Sequence, residues 1–193
     1  MTRNRGFSLI ELMVTITIVV LLILMALPSY SQWLTNTRIR NAAESIHNGL
    51  QFARNEAVQR NTNVRFELGA SGADWTVCLL PSGKTSCADA GVPQPPLQSF
   101  TASGGAGGVV IGTQTDTQYA NDKFDTALTS GAGGITFNAL GRPVGYSVTS
   151  FVRVDASSAQ AGTRRLVTTI AIGGRIRMCD PVLKKDTSPQ GCS

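Results

Sequence analysis

Residues 5–28 read RGFSLIELMVTITIVVLLILMALP, and this stretch decides the architecture of the 193-residue chain. Of the 21 residues from Phe7 to Leu27, 17 are apolar. At about 1.5 Å of rise per residue such a helix covers roughly 30 Å, the hydrocarbon thickness of a bilayer. A removable secretory peptide has a shorter apolar region and ends in a small-residue motif of the Ala-x-Ala kind. Here the run continues to Pro28 with no such motif behind it, so residues 7–27 read as a true transmembrane span. Charge says little about orientation, because Arg3, Arg5 and the terminal amine face Arg38 and Arg40 across the span, a margin of one.

The span also explains the composition. The chain is 42% hydrophobic and 15% charged, against roughly 25% charged in ordinary soluble domains, which excludes a disordered, charge-driven chain. Outside the span the hydrophobic share falls to about 37%, which excludes a protein of many spans and leaves enough chain for one globular domain with a core.

Glu11 is the anomaly, since a carboxylate at mid-bilayer costs about 2.5–3.5 kcal/mol and marks a functional partner. Its neighbours give the context. The run Arg5-Gly6-Phe7-Ser8-Leu9-Ile10-Glu11-Leu12 resembles the prepilin leader shared by type IV pilins and type II secretion pseudopilins. The resemblance implies that residues 1–6 are a leader, which a prepilin peptidase cuts after Gly6 on the cytoplasmic side before methylating the new amine of Phe7. It also implies that Glu11 pairs with the terminal amine of a neighbouring subunit in the fibre. Opposite charges in a low-dielectric bundle attract strongly and offset each other's desolvation.

Beyond Pro28, Ile39, Ala42, Ala43, Ile46, Leu50, Ala53 and Ala57 recur at helical spacing, with Arg38, Arg40, Glu44, Asn48, Gln51, Arg54 and Asn55 on the other positions. The spacing predicts one helix from Phe7 to about Arg60, amphipathic over residues 28–60, with Pro28 as a point of bending and Asn61-Thr62-Asn63 as its end. Residues 61–193 carry nearly all the glycine and proline and read as a β-rich head. Strands are expected at Val64–Leu68 and Trp75–Leu80, as a hairpin around Gly69-Ala70-Ser71-Gly72, and at Val109–Ile111, Ile135–Phe137, Tyr146–Val154 and Leu166–Ile172. The expected fold class is α+β, a long N-terminal helix laid on an antiparallel sheet, as in type IV pilins.

Gly134-Ile135-Thr136-Phe137-Asn138 and Gly141-Arg142-Pro143 resemble the central motif of the GspH/FimT family, which holds the pseudopilin H of type II secretion and the minor pilins FimT and FimU. The resemblance implies a non-catalytic subunit near the tip of a type IV pilus or type II secretion pseudopilus. Its implied partners are other major and minor pilins or pseudopilins, the prepilin peptidase and the bacterial inner membrane, with the head in the periplasm.

Cys78, Cys87, Cys179 and Cys192 permit three disulfide connectivities, and an oxidising periplasm allows them to form. Pairing Cys78 with Cys87 and Cys179 with Cys192 closes the shortest loops and is the preferred set. Zinc lacks a Cys-x-x-Cys spacing, and the sole histidine, His47, falls on the polar side of the helix as a solvated residue. Gly83-Lys84-Thr85 shares its residues with phosphate loops, but Cys78 stands where the first glycine belongs. Asp116, Asp122 and Asp125 lack the ordered spacing of a calcium loop and read as loop charges. No enzyme, cofactor or metal signature is present.

Charge is uneven. Residues 151–193 hold seven basic and three acidic groups. Within them Gly173-Gly174-Arg175-Ile176-Arg177 resembles the Gly-Arg-x-Arg element with which FimT-type pilins bind DNA during natural transformation. On a strand Arg175 and Arg177 point the same way and reach one phosphate backbone, helped by Arg164, Arg165, Lys184 and Lys185. The competing reading is a solvated strand face, or arginines paired with acids of an adjacent pilin, and it ranks ahead of double-stranded DNA.

Overall fold

The computed structural model describes residues 8–69, 72–115, 124, 126–146 and 150–192. Helix α1 runs Leu9–Arg60, with Pro28 inside it. It stops at Asn61, whose φ of 51° suits asparagine better than most residues. The Thr62 amide donates to Ala57 O at 3.2 Å and the Asn61 amide to Val58 O at 3.4 Å, a Schellman end that satisfies carbonyls the last turn leaves open. The chain divides into two units, Met1–Leu34 and Thr35–Ser193. In the first, the apolar side chains from Leu9 to Leu24 are exposed, and α1 is long and apolar enough to cross a membrane.

In the second unit all seven apolar positions read from the helical spacing are buried and share one core with the strands. Five strands form an antiparallel sheet in the order β3 (Gln98–Phe100), β2 (Trp75–Leu79), β1 (Val64–Leu68), β5 (Gly133–Phe137), β6 (Pro143–Val144). Along β1 the alternation of Val64, Phe66 and Leu68 with Arg65 and Glu67 turns one face to the helix. Gly49 of α1 lets the helix come close: a Cβ there would stand 2.7 Å from Phe66 Cε2. Trp75 is fixed by its indole N–H donating to Ser45 Oγ at 2.8 Å and by stacking on Phe100 at 6.0 Å between ring centroids.

The remaining strands make a second antiparallel sheet, β4 (Val110–Gln114), β7 (Arg153–Ser157), β8 (Leu166–Ile170) and β9 (Ile176–Cys179), where the sequence predicts a single sheet. β4 pairs with β7, more than thirty residues downstream, and a pairing of that range leaves no periodic signal. The strand expected at Tyr146–Val154 lies instead at Arg153–Ser157, with residues 147–149 outside the described residues. All five residues of β7 are buried, including Arg153 and Asp155, because their charges meet each other: Arg153 Nε and Nη2 each donate to the Asp155 carboxylate at 2.7 Å. Strands β3 and β6 are short and escape the sequence patterns, whereas β9 falls where the sequence puts Arg177 on a strand.

Candidate functional site

The predicted cleavage and methylation positions, Gly6 and Phe7, lie outside the described residues, as do Arg3 and Arg5. Ser8 is the first described residue and immediately precedes α1. Its Oγ accepts the Glu11 amide at 3.3 Å and its carbonyl accepts the Leu12 amide at 3.2 Å. Ser8 is therefore the N-cap and Glu11 the third helical residue, the spacing of a capping box. Glu11 stands in the first turn, where unpaired N–H groups favour negative charge. The leader motif alone does not point to Ser8, but the Ser-x-x-Glu spacing before an apolar run does. Two other polar residues of the segment are satisfied internally: the hydroxyls of Thr15 and Thr17 donate to Leu12 O at 2.9 Å and Met13 O at 2.8 Å. With those donors paired, neither hydroxyl would carry an unmet hydrogen bond into apolar surroundings.

The two motif segments of the larger unit have clear structural uses. Gly134 lies under the Arg65 side chain, and a Cβ there would come within 2.8 Å of its guanidinium carbon. Arg65 in turn donates to Glu67 Oε2 at 3.3 Å and Thr136 Oγ1 at 3.4 Å. Asn138 shapes the β5–β6 turn, its Oδ1 accepting the amides of Leu140 at 3.0 Å and Arg142 at 3.1 Å.

Both preferred disulfides are present, Cys78–Cys87 and Cys179–Cys192. The first folds its loop over the outer face of the five-stranded sheet, where Cys78, Leu80, Cys87 and Val92 make a small second core. Glu67 Oε2 accepts the Cys87 amide at 2.6 Å and the Ser86 hydroxyl at 3.1 Å. Asp89 accepts the Thr85 and Ser86 amides, which hold its pKa below the ordinary carboxylate value. The second disulfide closes the C-terminal loop.

The six basic candidates separate into two groups. Arg177, on β9, is half-buried and donates to Pro189 O at 3.2 Å and Gly191 O at 2.6 Å, clamping the C-terminal loop. Arg164 pairs with Asp180 at 2.5 Å. Arg165 pairs with Asp155 at 2.7 Å and donates to the carbonyls of Thr126 and Phe124. All three are engaged by groups of the chain itself, although the Arg164 side chain stays exposed, where an ion pair adds little stability. Arg175, Lys184 and Lys185 are exposed, and none is in an ion pair among the described residues. Arg175 stands one residue before β9, at the end of the β8–β9 turn, where its carbonyl accepts the Ala171 amide at 2.9 Å.

His47 is half-buried, where the sequence predicts a solvated side chain. Its Nδ1 is buried without a hydrogen-bond partner among the described residues, and burial lowers its pKa from 6.5. The helical wheel places it beside the apolar stripe, and packing of the rest of the unit covers it. Asp116, Asp122 and Asp125 lie outside the described residues.

Residues 42–174 match the family model of the type II transport protein GspH, and residues 1–27 match the prokaryotic N-terminal methylation motif. No curated protein matches the chain. Among solved structures it is similar to the type IV minor pilin FimU of Pseudomonas aeruginosa, with 19% identity, 80% of this chain and 99% of that one covered, and a TM-score of 0.48. It is also similar to the minor pseudopilin EpsH from the type 2 secretion system of Vibrio cholerae, with 12% identity, coverage of 75% and 98%, and a TM-score of 0.47.

Proposed function

The chain belongs to the GspH family of minor pilins and pseudopilins, and on that premise we propose that it is cut after Gly6, methylated on Phe7 and held in the inner membrane by residues 7–27 with its larger unit in the periplasm. From there it is assembled at or near the tip of a type IV pilus or type II secretion pseudopilus. Its work is assembly, without catalysis. The observation that supports this reading is the exposed apolar segment Leu9–Leu24, which carries one carboxylate in its first turn. Such a surface needs lipid before assembly and neighbouring helices after it. A terminal amine on Phe7 and the Glu11 carboxylate of the next subunit supply opposite charges that set the stagger between them. The test is Glu11→Ala followed in the producing cells: cleavage and methylation proceed, and the variant is missing from sheared fibres. Normal incorporation of Glu11→Ala refutes the pairing.

A second reading rests on Arg175, Lys184 and Lys185, three exposed cations near one end of the chain. In this reading they hold double-stranded DNA through its phosphates, without sequence preference. Every phosphate that is no longer neutralised reduces the slope of log affinity against log salt by about 0.9. A gel-shift salt titration of the detergent-solubilised chain tests it: Arg175→Ala with Lys184→Ala and Lys185→Ala abolishes the shift. Absence of binding by the wild type at low salt removes the reading.

A further inference from the structure

The β5–β6 turn and the β8–β9 turn belong to different sheets and are more than thirty residues apart, yet their tips touch. Gly141, at φ 70°, and Gly174, at φ 78°, meet so closely that a Cβ on Gly174 would run into the Gly141 carbonyl oxygen. Arg54 of α1 fastens the junction by donating from Nε to Gly141 O at 3.2 Å. Each turn is closed by its own hydrogen bonds, Gly141 to Asn138 O and Gly174 to Ala171 O, both at 2.8 Å. The result is a pair of rigid tips braced on a helix.

What these tips present is apolar. Leu140 is 74% exposed, Ile172 69% and Val58, on the helix beside Gly141, 51%. Two exposed arginines, Arg142 and Arg175, flank them, and neither is in an ion pair among the described residues. Single exposed aliphatic residues are ordinary, but three gathered on a braced junction with a cationic rim have the make-up of an interface centre and edge.

We propose that this junction docks a second pilin-type subunit of the same fibre, one presenting an apolar patch edged by aspartate or glutamate. The proposal rests on the fibre-subunit reading above. The arginine rim selects an acidic partner, and a second copy of this chain, still at a net +3 once Arg3 and Arg5 leave with the leader (15 Lys and Arg against 12 Asp and Glu), is disfavoured. A phosphate backbone would leave Leu140, Ile172 and Val58 without apolar cover, so the surface suits protein better than nucleic acid. Rigid turns lose little entropy on docking, which favours a specific contact.

The test uses the full chain in the cells that make the fibre, with a photo-activatable phenylalanine analogue placed at position 140 or 172 and, as control, at exposed Ser82 in the Cys78–Cys87 loop. Expected are adducts from 140 and 172, and none from 82, to one pilin-type subunit at a segment containing Asp or Glu. Arg142→Glu with Arg175→Glu reduces their yield about tenfold, equivalent to about 1.4 kcal/mol. Exchanging the partner's carboxylates for lysine restores it. Adducts to copies of this chain, to lipid or to DNA overturn the proposal, as does silence from a chain recovered in the fibre. A chain that never reaches the fibre overturns the subunit reading, and this proposal with it.

Discussion

Replacing Gly49 by alanine opposes two effects of known size. On α1 the change relieves a glycine of its helix penalty, worth about 1 kcal/mol. Against this, the new Cβ would lie 2.7 Å from Phe66 Cε2 and 3.0 Å from two Trp75 ring carbons. Neither ring has room to retreat. Phe66 is wholly buried, tilted against Trp75 at 5.4 Å and edge-on to Phe151 at 6.2 Å. Trp75 is tied to Ser45 and backed by Phe100. Overpacking costs about 1–3 kcal/mol, and fixed rings put this site at the upper end, for a net loss of about 2 kcal/mol. In a domain of this size that lowers Tm by roughly 4–8 °C. The assay is thermal unfolding of the full chain in detergent, followed by near-ultraviolet circular dichroism, which senses the packing around Trp75. Asn48→Ala, on the exposed side of the same helix, is the control and raises Tm slightly through propensity alone. If Gly49→Ala raises Tm as Asn48→Ala does, the helix does not press on the sheet as described.

Asp155→Ala leaves Arg153 and Arg165 facing each other without their shared carboxylate, and costs about 3–5 kcal/mol in the same melt; an unchanged Tm refutes the buried pairing. Cys179→Ser with Cys192→Ser frees the C-terminal loop at a cost of about 3 kcal/mol, seen in the same assay, and adding Arg177→Ala costs little more once the loop it clamps has opened. Because the folded pKa of His47 lies below its unfolded value of 6.5, the unfolded chain takes up the proton first as pH falls. Stability is therefore complete above that value and declines as pH falls through it, a step that His47→Gln removes from a pH series of unfolding curves. Asp89 acts lower, with stability lost only below its unfolded value of 3.8.

Much of this arrangement is legible in the residues. Ile39, Ala42, Ala43, Ile46, Leu50, Ala53 and Ala57 announce the buried helix face because a helix against a sheet has no other way to hide them. Val64–Leu68 announces its strand by strict alternation. β7 hides for the opposite reason: Arg153, Asp155 and Ser157 look like a wet face, and only the closed pairing of their charges lets that face go inside. Pairing partners across the chain are also what sequence periodicity cannot express, so the second sheet is not visible in it. At the basic end the charges can be counted but not their use. Arg164, Arg165 and Arg177 look like Arg175 in sequence, and only the positions of Asp180, Asp155 and the 189–191 carbonyls separate the arginines held by the chain's own groups from Arg175, which is in no ion pair among the described residues.

Everything proposed for the fibre begins with the bond between Gly6 and Phe7. The intact mass of the chain isolated from its own membrane or fibre, with sequencing of its first peptide, measures the state of that bond directly. The prediction is a chain that begins at Phe7 and carries one methyl group on its amine, and that stays uncut when Gly6 is replaced by a bulky residue. A native chain that still begins at Met1, or that has lost the whole apolar segment, contradicts it.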